Sequence, residues 1–239
     1  GGLGTRIAEE SDFKPKPLIQ IGDMPILWHI MKIYSHFNFN EFIICCGYKG
    51  HLIKEFFYNY TLRNSDIEIK TKTNSLEIIN SNLEDWKIKL IDTGNNVQTG
   101  GRIKRIKKYL NKNEDFMMTY GDGLANINII DLIKFHKKNQ KLITLTGVTP
   151  QARFGSIECD KNMLVEKFIE KPFGESGVIN GGFFVVSYKV LDFINNDSNV
   201  WEDDVLPLIA KQNNLMCFKH KDFWHPMDNL RDQRYLNEI

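Results

Sequence analysis

The sequence predicts an α/β fold built on a mixed, mainly parallel central sheet, and three features predict it. Over the first 150 residues, apolar runs of strand length alternate with runs of helical period, which is the pattern of a parallel sheet with right-handed crossovers. The runs Glu41–Gly47 and Phe116–Tyr120 are mainly apolar and lead into glycine, as strands buried on both faces do. Beyond residue 150 the chain turns richer in strands, which makes the sheet mixed.

The elements follow in order. Pro25 opens Ile26–Tyr34, whose apolar residues recur at helical spacing, so the proline is expected at a first helical position. Glu41–Gly47 is too short and too apolar for a helix and is read as a strand. His51–Tyr60 reads as helix, Ile67–Thr71 and Trp86–Ile91 as strands. Gly100–Leu110 alternates basic and apolar residues at helical spacing. Phe116–Tyr120 is a strand, Ile129–Lys138 a helix and Leu142–Val148 a strand. Strands are then expected at Ser156–Cys159, Leu164–Ile169, Val178–Val186 and Met216–Lys219, with helices near Val190–Asn195 and Val205–Gln212. Asn195–Asn199 reads as an open polar loop, and Leu230–Ile239 is helix-like. The sequence holds no internal repeat and no low-complexity linker, so residues 1–239 are expected to form a single domain.

The charge balance excludes some functions. Lys and Arg number 31 and Asp and Glu 30, so a net charge of +1 gives no reason to expect nucleic acid or a membrane as partner. No apolar run approaches the length of a membrane span, and no signal peptide is expected. Cys45, Cys46, Cys159 and Cys217 form no CxxC pair, which suggests neither a disulfide framework nor a cysteine metal site and points to the cytoplasm.

The opening residues Gly1, Gly2, Leu3, Gly4, Thr5 and Arg6 are neither a dinucleotide fingerprint nor a Walker A loop. They do place three glycines where backbone N–H groups can approach phosphate closely, with a planar guanidinium beside them. Lys14-Pro15-Lys16-Pro17 follows, and its prolines bar helix and hold two ammonium groups on an extended piece. Taken alone the glycines fit a flexible turn and the lysines a solvated patch. Together they suit a triphosphate. Such a loop normally leaves a buried strand, and none precedes Gly1. With the helix-like run at the other end, trimming at both ends is expected.

Asp122 lies between Gly121 and Gly123 at the end of an apolar strand, where ligands bind in open α/β sheets. It suits magnesium, and equally a tight Asp-Gly hairpin turn. Asp228 follows the aromatic run Phe223–Met227 and suits either a second metal carboxylate or a helix N-cap. Glu170 and Lys171 before Pro172 fit sugar hydroxyl and phosphate, or a surface charge pair. Asn180-Gly181-Gly182 interrupts an apolar strand and marks a ligand's close approach or a bulge. His29 and His225 lie among apolar residues and read as structural.

These pieces, in this order, resemble the sugar-1-phosphate nucleotidylyltransferase family, over Gly1 to about Arg231. Pro25–His36, Phe42–Gly50, Asp92-Thr93-Gly94, Thr99–Arg102 and Arg153-Phe154-Gly155 are closest to its cytidylyl branch. The resemblance implies a Rossmann-like three-layer α/β/α nucleotidyltransferase fold, with a nucleotide-binding half at 1–150 and a sugar-phosphate-binding half at 151–239. It implies transfer of CMP from CTP to glucose 1-phosphate, giving CDP-glucose and pyrophosphate with magnesium, in a homo-oligomer. Gly1, Gly2, Leu3, Gly4, Thr5, Arg6, Lys16, Thr99, Arg102 and Gly121 would hold the nucleotide, Arg6 and Lys16 being catalytic. Gly155, Glu170, Lys171 and Asn180 would hold the sugar phosphate, and Asp122 and Asp228 the magnesium. Val97 stands where the family has threonine, Met24 replaces a basic residue, and Thr73–Glu84 matches poorly. A sister enzyme using UTP or dTTP, a nucleotide-sugar-consuming glycosyltransferase and a non-catalytic binding homologue are the alternatives. The middle of the chain reads Gly-Asp-Gly rather than the Asp-x-Asp of the glycosyltransferases, and a binding module has no need of a metal pair.

Overall fold

The structure, a computed structural model, describes residues 14–150, 156–159, 165–169 and 177–239, with backbone alone for 156–159 and 165–169. The chain forms two compact units. The first runs to Leu110 and takes in Leu191–Val205, and the second comprises Asn111–Val190 and Leu206–Ile239. A segment late in the sequence thus belongs with the first unit.

In the first unit, Lys16–Leu18 makes one 3-10 turn, and β1 (Gln20–Ile21) and β2 (Met24–Pro25) form a short hairpin. The expectation that the prolines hold Lys16 on a purely extended piece is corrected. Pro15 is extended, with ψ 143°, but Pro17 fits the first turn of a helix and Lys16 begins one. Pro25 is likewise extended, with φ −68° and ψ 151°, and caps α1 (Ile26–Ser35) instead of entering it. Helix α1 buries Ile26, Leu27, Ile30, Met31 and Tyr34, the stripe its period implies.

Strands β3 (Glu41–Cys46) and β6 (Lys87–Asp92) pair in parallel, from Glu41 opposite Lys87 to Cys46 opposite Asp92. Between them in sequence come α2 (Gly50–Tyr58), α3 (Tyr60–Arg63) and the hairpin of β4 (Ser65–Lys70) and β5 (Ser75–Ser81). Leu18, Leu27, Met31, Cys46 and Ile53 form the core here, with Phe42, Ile44, Trp86, Ile88 and Leu90 packed on it. Fully burying each such side chain contributes about 1.5–3 kcal/mol. All of β5 is exposed, so it has no burial period to read and its register comes from β4 alone. Helix α4 (Thr99–Arg105) follows β6.

The second unit holds β7 (Phe116–Thr119), β8 (Gly123–Ala125), α5 (Ile129–Asn139) and β9 (Ile143–Val148). Next come β10 (Ser156–Cys159) and β11 (Val165–Ile169), an antiparallel pair, and β12 (Ile179–Val186). Helix α6 (Leu206–Lys211), β13 (Leu215–His220), β14 (Trp224–Pro226) and α7 (Leu230–Glu238) close the chain. Four strands make a mixed sheet in the order β13-β9-β12-β7. β13 runs parallel to β9, and β12 is antiparallel to both its neighbours. Gly181 to Val186 are all buried, as expected of an inner strand. Asn128 caps α5 by accepting the Asp131 N–H at 3.1 Å. The fold is mixed α/β, with parallel and mixed sheets.

Candidate functional site

Gly1 to Thr5, Arg6, Gly155, Glu170 and Lys171 lie outside the described residues. The remaining predicted site residues fall in both units. Lys16, Thr99 and Arg102 are in the first, and Gly121, Asp122, Asn180 and Asp228 in the second.

The loop leaving the carboxyl end of β6 is organised by α4. Arg102 is 6% exposed, and its guanidinium donates to Thr93 Oγ1 at 2.9 Å, Gly94 O at 2.6 Å and Asn95 O at 3.2 Å. Arg105 donates to Thr93 O at 3.3 Å and pairs with both Asp197 oxygens, at 2.9 and 2.6 Å. Thr99 donates its hydroxyl proton to Glu202 Oε2 and accepts the Trp201 N–H, each at 2.8 Å. The side chains of the Thr99–Arg102 stretch are thus engaged with their own unit's backbone and carboxylates. Burial lowers the Arg102 pKa from its ordinary value.

The open loop expected at Asn195–Asn199 is instead a bonded turn. Asn199 Oδ1 accepts the N–H groups of Asn195 and Asn196 at 2.8 and 3.1 Å, and Lys104 donates to Ile194 O and Asn195 O at 2.6 and 2.7 Å. Gly100 and Gly101 permit this approach. A Cβ on Gly101 would lie 2.6 Å from Asp197 Cα, and one on Gly100 2.8 Å from Asn199 O. The asparagine bonds are local, but nothing in a polar run announces Lys104, which lies about ninety positions earlier in the chain.

In the second unit β8 pairs with β14, not in a hairpin with β7, so the Asp122-Gly123 turn reading is corrected. Gly123 lies opposite Pro226, and Met227 donates its N–H to Asp122 O at 2.7 Å. Asp122 and Asp228 therefore both lie just past the same end of a single ladder. The N-cap of α7 is Asn229, which forms a capping box with Asp232. Asp232 Oδ2 accepts the N–H groups of Asp228 and Asn229 at 2.9 and 3.1 Å, so the helix end does not rest on the Asp228 side chain as its cap. Two oxygen ligands of this kind suit magnesium, which takes one or two carboxylates and completes its shell with phosphate and water. Among the described residues no group of three or more His, Cys, Asp and Glu gathers as an all-protein metal site.

Asn180 sits where β12 bulges. It faces Gly147, yet Phe184 faces Leu145. Its Nδ2 donates to Tyr120 OH at 3.1 Å and its Oδ1 accepts the Gly182 N–H at 2.9 Å. Gly182 has φ +80°, and a Cβ there would lie 2.8 Å from the Tyr120 ring. Trp224 Nε1 donates to Gly181 O at 2.8 Å. Sequence reasoning gave Thr93 and Tyr120 no site role. Each falls in or beside a passage it quoted, but only the fold reveals their partners. His29 bonds Ile21 O at 2.8 Å and His225 bonds Asp232 Oδ1 at 3.2 Å, as structural residues do. No helix among the described residues is long and apolar enough to cross a membrane.

Comparison with known proteins gives a consistent result. The Nucleotidyl transferase family pattern matches residues 1–231. Glucose-1-phosphate cytidylyltransferase of Salmonella typhi is 49% identical over 239 residues, covering 100% of this chain and 93% of that protein. The enzyme of the same name from Salmonella typhimurium matches equally, at 49% over the same shares. Among solved structures, HddC from Yersinia pseudotuberculosis superposes with a TM-score of 0.71 at 23% identity, covering 100% of this chain and 95% of that one. A UDP-glucose pyrophosphorylase solved with UDP-glucose gives 0.65 at 13% identity, covering 100% and 94%. These two share the fold. This α/β chain therefore belongs to the nucleotidyl transferase family.

Proposed function

We propose that the protein transfers CMP from CTP to glucose 1-phosphate, giving CDP-glucose and pyrophosphate. The observation that carries the reading is its full-length likeness to the Salmonella enzymes. The placement of Asp122 and Asp228 at the same ladder end supports the chemistry. Magnesium as the cation, the cytoplasm and a homo-oligomeric state belong to the same reading and rest on the family resemblance.

A phosphate monoester has its second pKa near about 6, so glucose 1-phosphate is already largely dianionic at neutral pH. Its oxygen attacks the α-phosphorus of CTP, forming one P–O bond as the bond to the β-phosphate bridge breaks and pyrophosphate leaves. No general base is needed, and catalysis reduces to positioning and charge stabilisation. In this reading Arg6 and Lys16 offset charge on the triphosphate and the leaving group. Gly1, Gly2, Gly4 and their neighbours offer backbone N–H groups to phosphate. Asp122 and Asp228 hold the cation, which when bound supplies Lewis-acid stabilisation of phosphate charge. Asn180, Glu170 and Lys171 contact the sugar phosphate.

The test is pyrophosphate release from purified protein with glucose 1-phosphate and each triphosphate in turn, with and without a chelator. CTP is expected to give the fastest turnover, lost with EDTA and restored by magnesium. Faster turnover with UTP or dTTP would move the protein to a sister activity, and no turnover with any triphosphate would leave the binding homologue.

A further inference from the structure

We propose that Thr93 is a positioning residue for nucleotide binding, acting with Arg102 as a buried pin that holds Gly94 and Asn95 at the carboxyl end of β6. The inference rests on the activity proposed above and concerns the same site. Thr93 is fully buried, and its hydroxyl donates to Cys46 O at 2.7 Å while accepting from Arg102 Nη1 at 2.9 Å. Its own N–H donates to the same Cys46 O at 2.8 Å. One threonine thus ties the end of β3 to the end of β6 and to α4.

Arg102 spends three hydrogen bonds on this one loop, and Arg105 adds a fourth on Thr93 O. Arg105 is itself fixed by Asp197. Asp92 Oδ1 accepts the Gly94 N–H at 2.8 Å, so the turn is held from both sides. A loop in this place, past the carboxyl end of a parallel strand, is where open α/β sheets bind ligands. Here Arg102 reaches the nucleotide through the loop it shapes. The fork is what the geometry uses, since a lysine ammonium does not reproduce donors held at two nitrogens in one plane.

Preordering a binding loop reduces the entropy lost on binding, so its loss appears in nucleotide affinity more than in the chemical step. Thr93→Val keeps the volume and removes the hydroxyl. It is expected to raise KM for CTP about tenfold, while kcat and KM for glucose 1-phosphate stay within about twofold. Thr93→Ser is expected to restore the wild-type value, and Arg102→Lys to reproduce the Thr93→Val defect despite its charge. The double variant Thr93→Val with Arg102→Ala is expected to be no worse than Arg102→Ala alone, because both remove one pin.

The proposal is overturned if Thr93→Val or Arg102→Lys binds CTP as wild type does. It is overturned equally if the two defects multiply, which would mean Arg102 acts on the nucleotide independently, or if affinity for both substrates falls alike. Calorimetric titration with CTP reads the pin without turnover. A wild-type protein inactive with glucose 1-phosphate would sink the proposed reaction, whereas unchanged CTP binding in Thr93→Val would sink the pin.

Discussion

The loop after β6 and the ladder of β8 with β14 solve opposite problems. In the loop, side chains hold backbone: Arg102, Arg105 and Thr93 spend their donors on carbonyl oxygens and on one another. In the ladder, backbone holds side chains. The pairing of Gly123 with Pro226 and the bond from Met227 N–H to Asp122 O set Asp122 and Asp228 at one ladder end, where the Asp232 carboxylate also accepts the Asp228 N–H. The first arrangement yields a shaped surface, the second a pair of charges. Damage to the first should appear in affinity and stability, and damage to the second in turnover.

Asp122→Ala and Asp228→Ala should show the largest effect. Losing a cation ligand removes several kcal/mol of transition-state stabilisation, so pyrophosphate release should fall about 10³-fold. The melting temperature should fall far less than turnover, because the pairing of β8 with β14 is itself main-chain. Near-normal turnover in either variant would break the comparison. Gly101→Ala is the middle case. Its Cβ would stand 2.6 Å from Asp197 Cα, and overpacking of this kind costs about 1–3 kcal/mol. Urea denaturation should show that loss together with a raised KM for CTP. Unchanged stability would mean the approach of α4 to Asp197 is slack.

The smallest effect belongs to His136 in the second unit, which carries a titration the loop lacks. Its ring is buried, Nδ1 bonds Thr144 Oγ1 at 2.8 Å and Nε2 lies 3.5 Å from Asp115 Oδ2. Burial lowers its pKa from 6.5, against the pull of Asp115. The folded state then binds a proton less readily than the unfolded chain. Its stability should be full above pH 6.5 and should fall as pH drops from there toward the lowered value. Melting temperatures recorded across that range should fall in wild type and stay flatter in His136→Gln. Equal slopes would assign the acid sensitivity to other groups.

Much of the fold was legible because local pattern and tertiary role agreed. The helical stripe of α1 reports a period that burial enforces, and β3 is readable from its short apolar run, although only Cys46 of it is buried and the rest is half-buried or exposed. Strand β5 was not legible, since a strand exposed along its length has no such period. The turn at Asn195–Asn199 looked open because, beyond its own asparagine bonds, its partners Lys104, Arg105 and the two glycines of α4 are remote in sequence. Of the candidate site, residue types were readable and neighbours were not. Asp122 could be picked out by its flanking glycines, but its place at the same ladder end as Asp228 depends on the register of two three-residue strands.

By itself the sequence determined the α/β class, most of the elements and the chemical types at hand: glycines and bases for phosphate, carboxylates for a cation. These follow from short-range periodicity and from what each side chain can donate or accept. The tertiary structure decided that Arg102 faces the carbonyl groups of the loop after β6, that Thr93 ties that loop to Cys46 O at the end of β3, that Asn180 sits on a bulge against Tyr120, and that two aspartates more than a hundred residues apart share one ladder end. Such pairings are set by strand register and burial, which depend on contacts between remote segments and leave no trace in the spacing of neighbours along the chain.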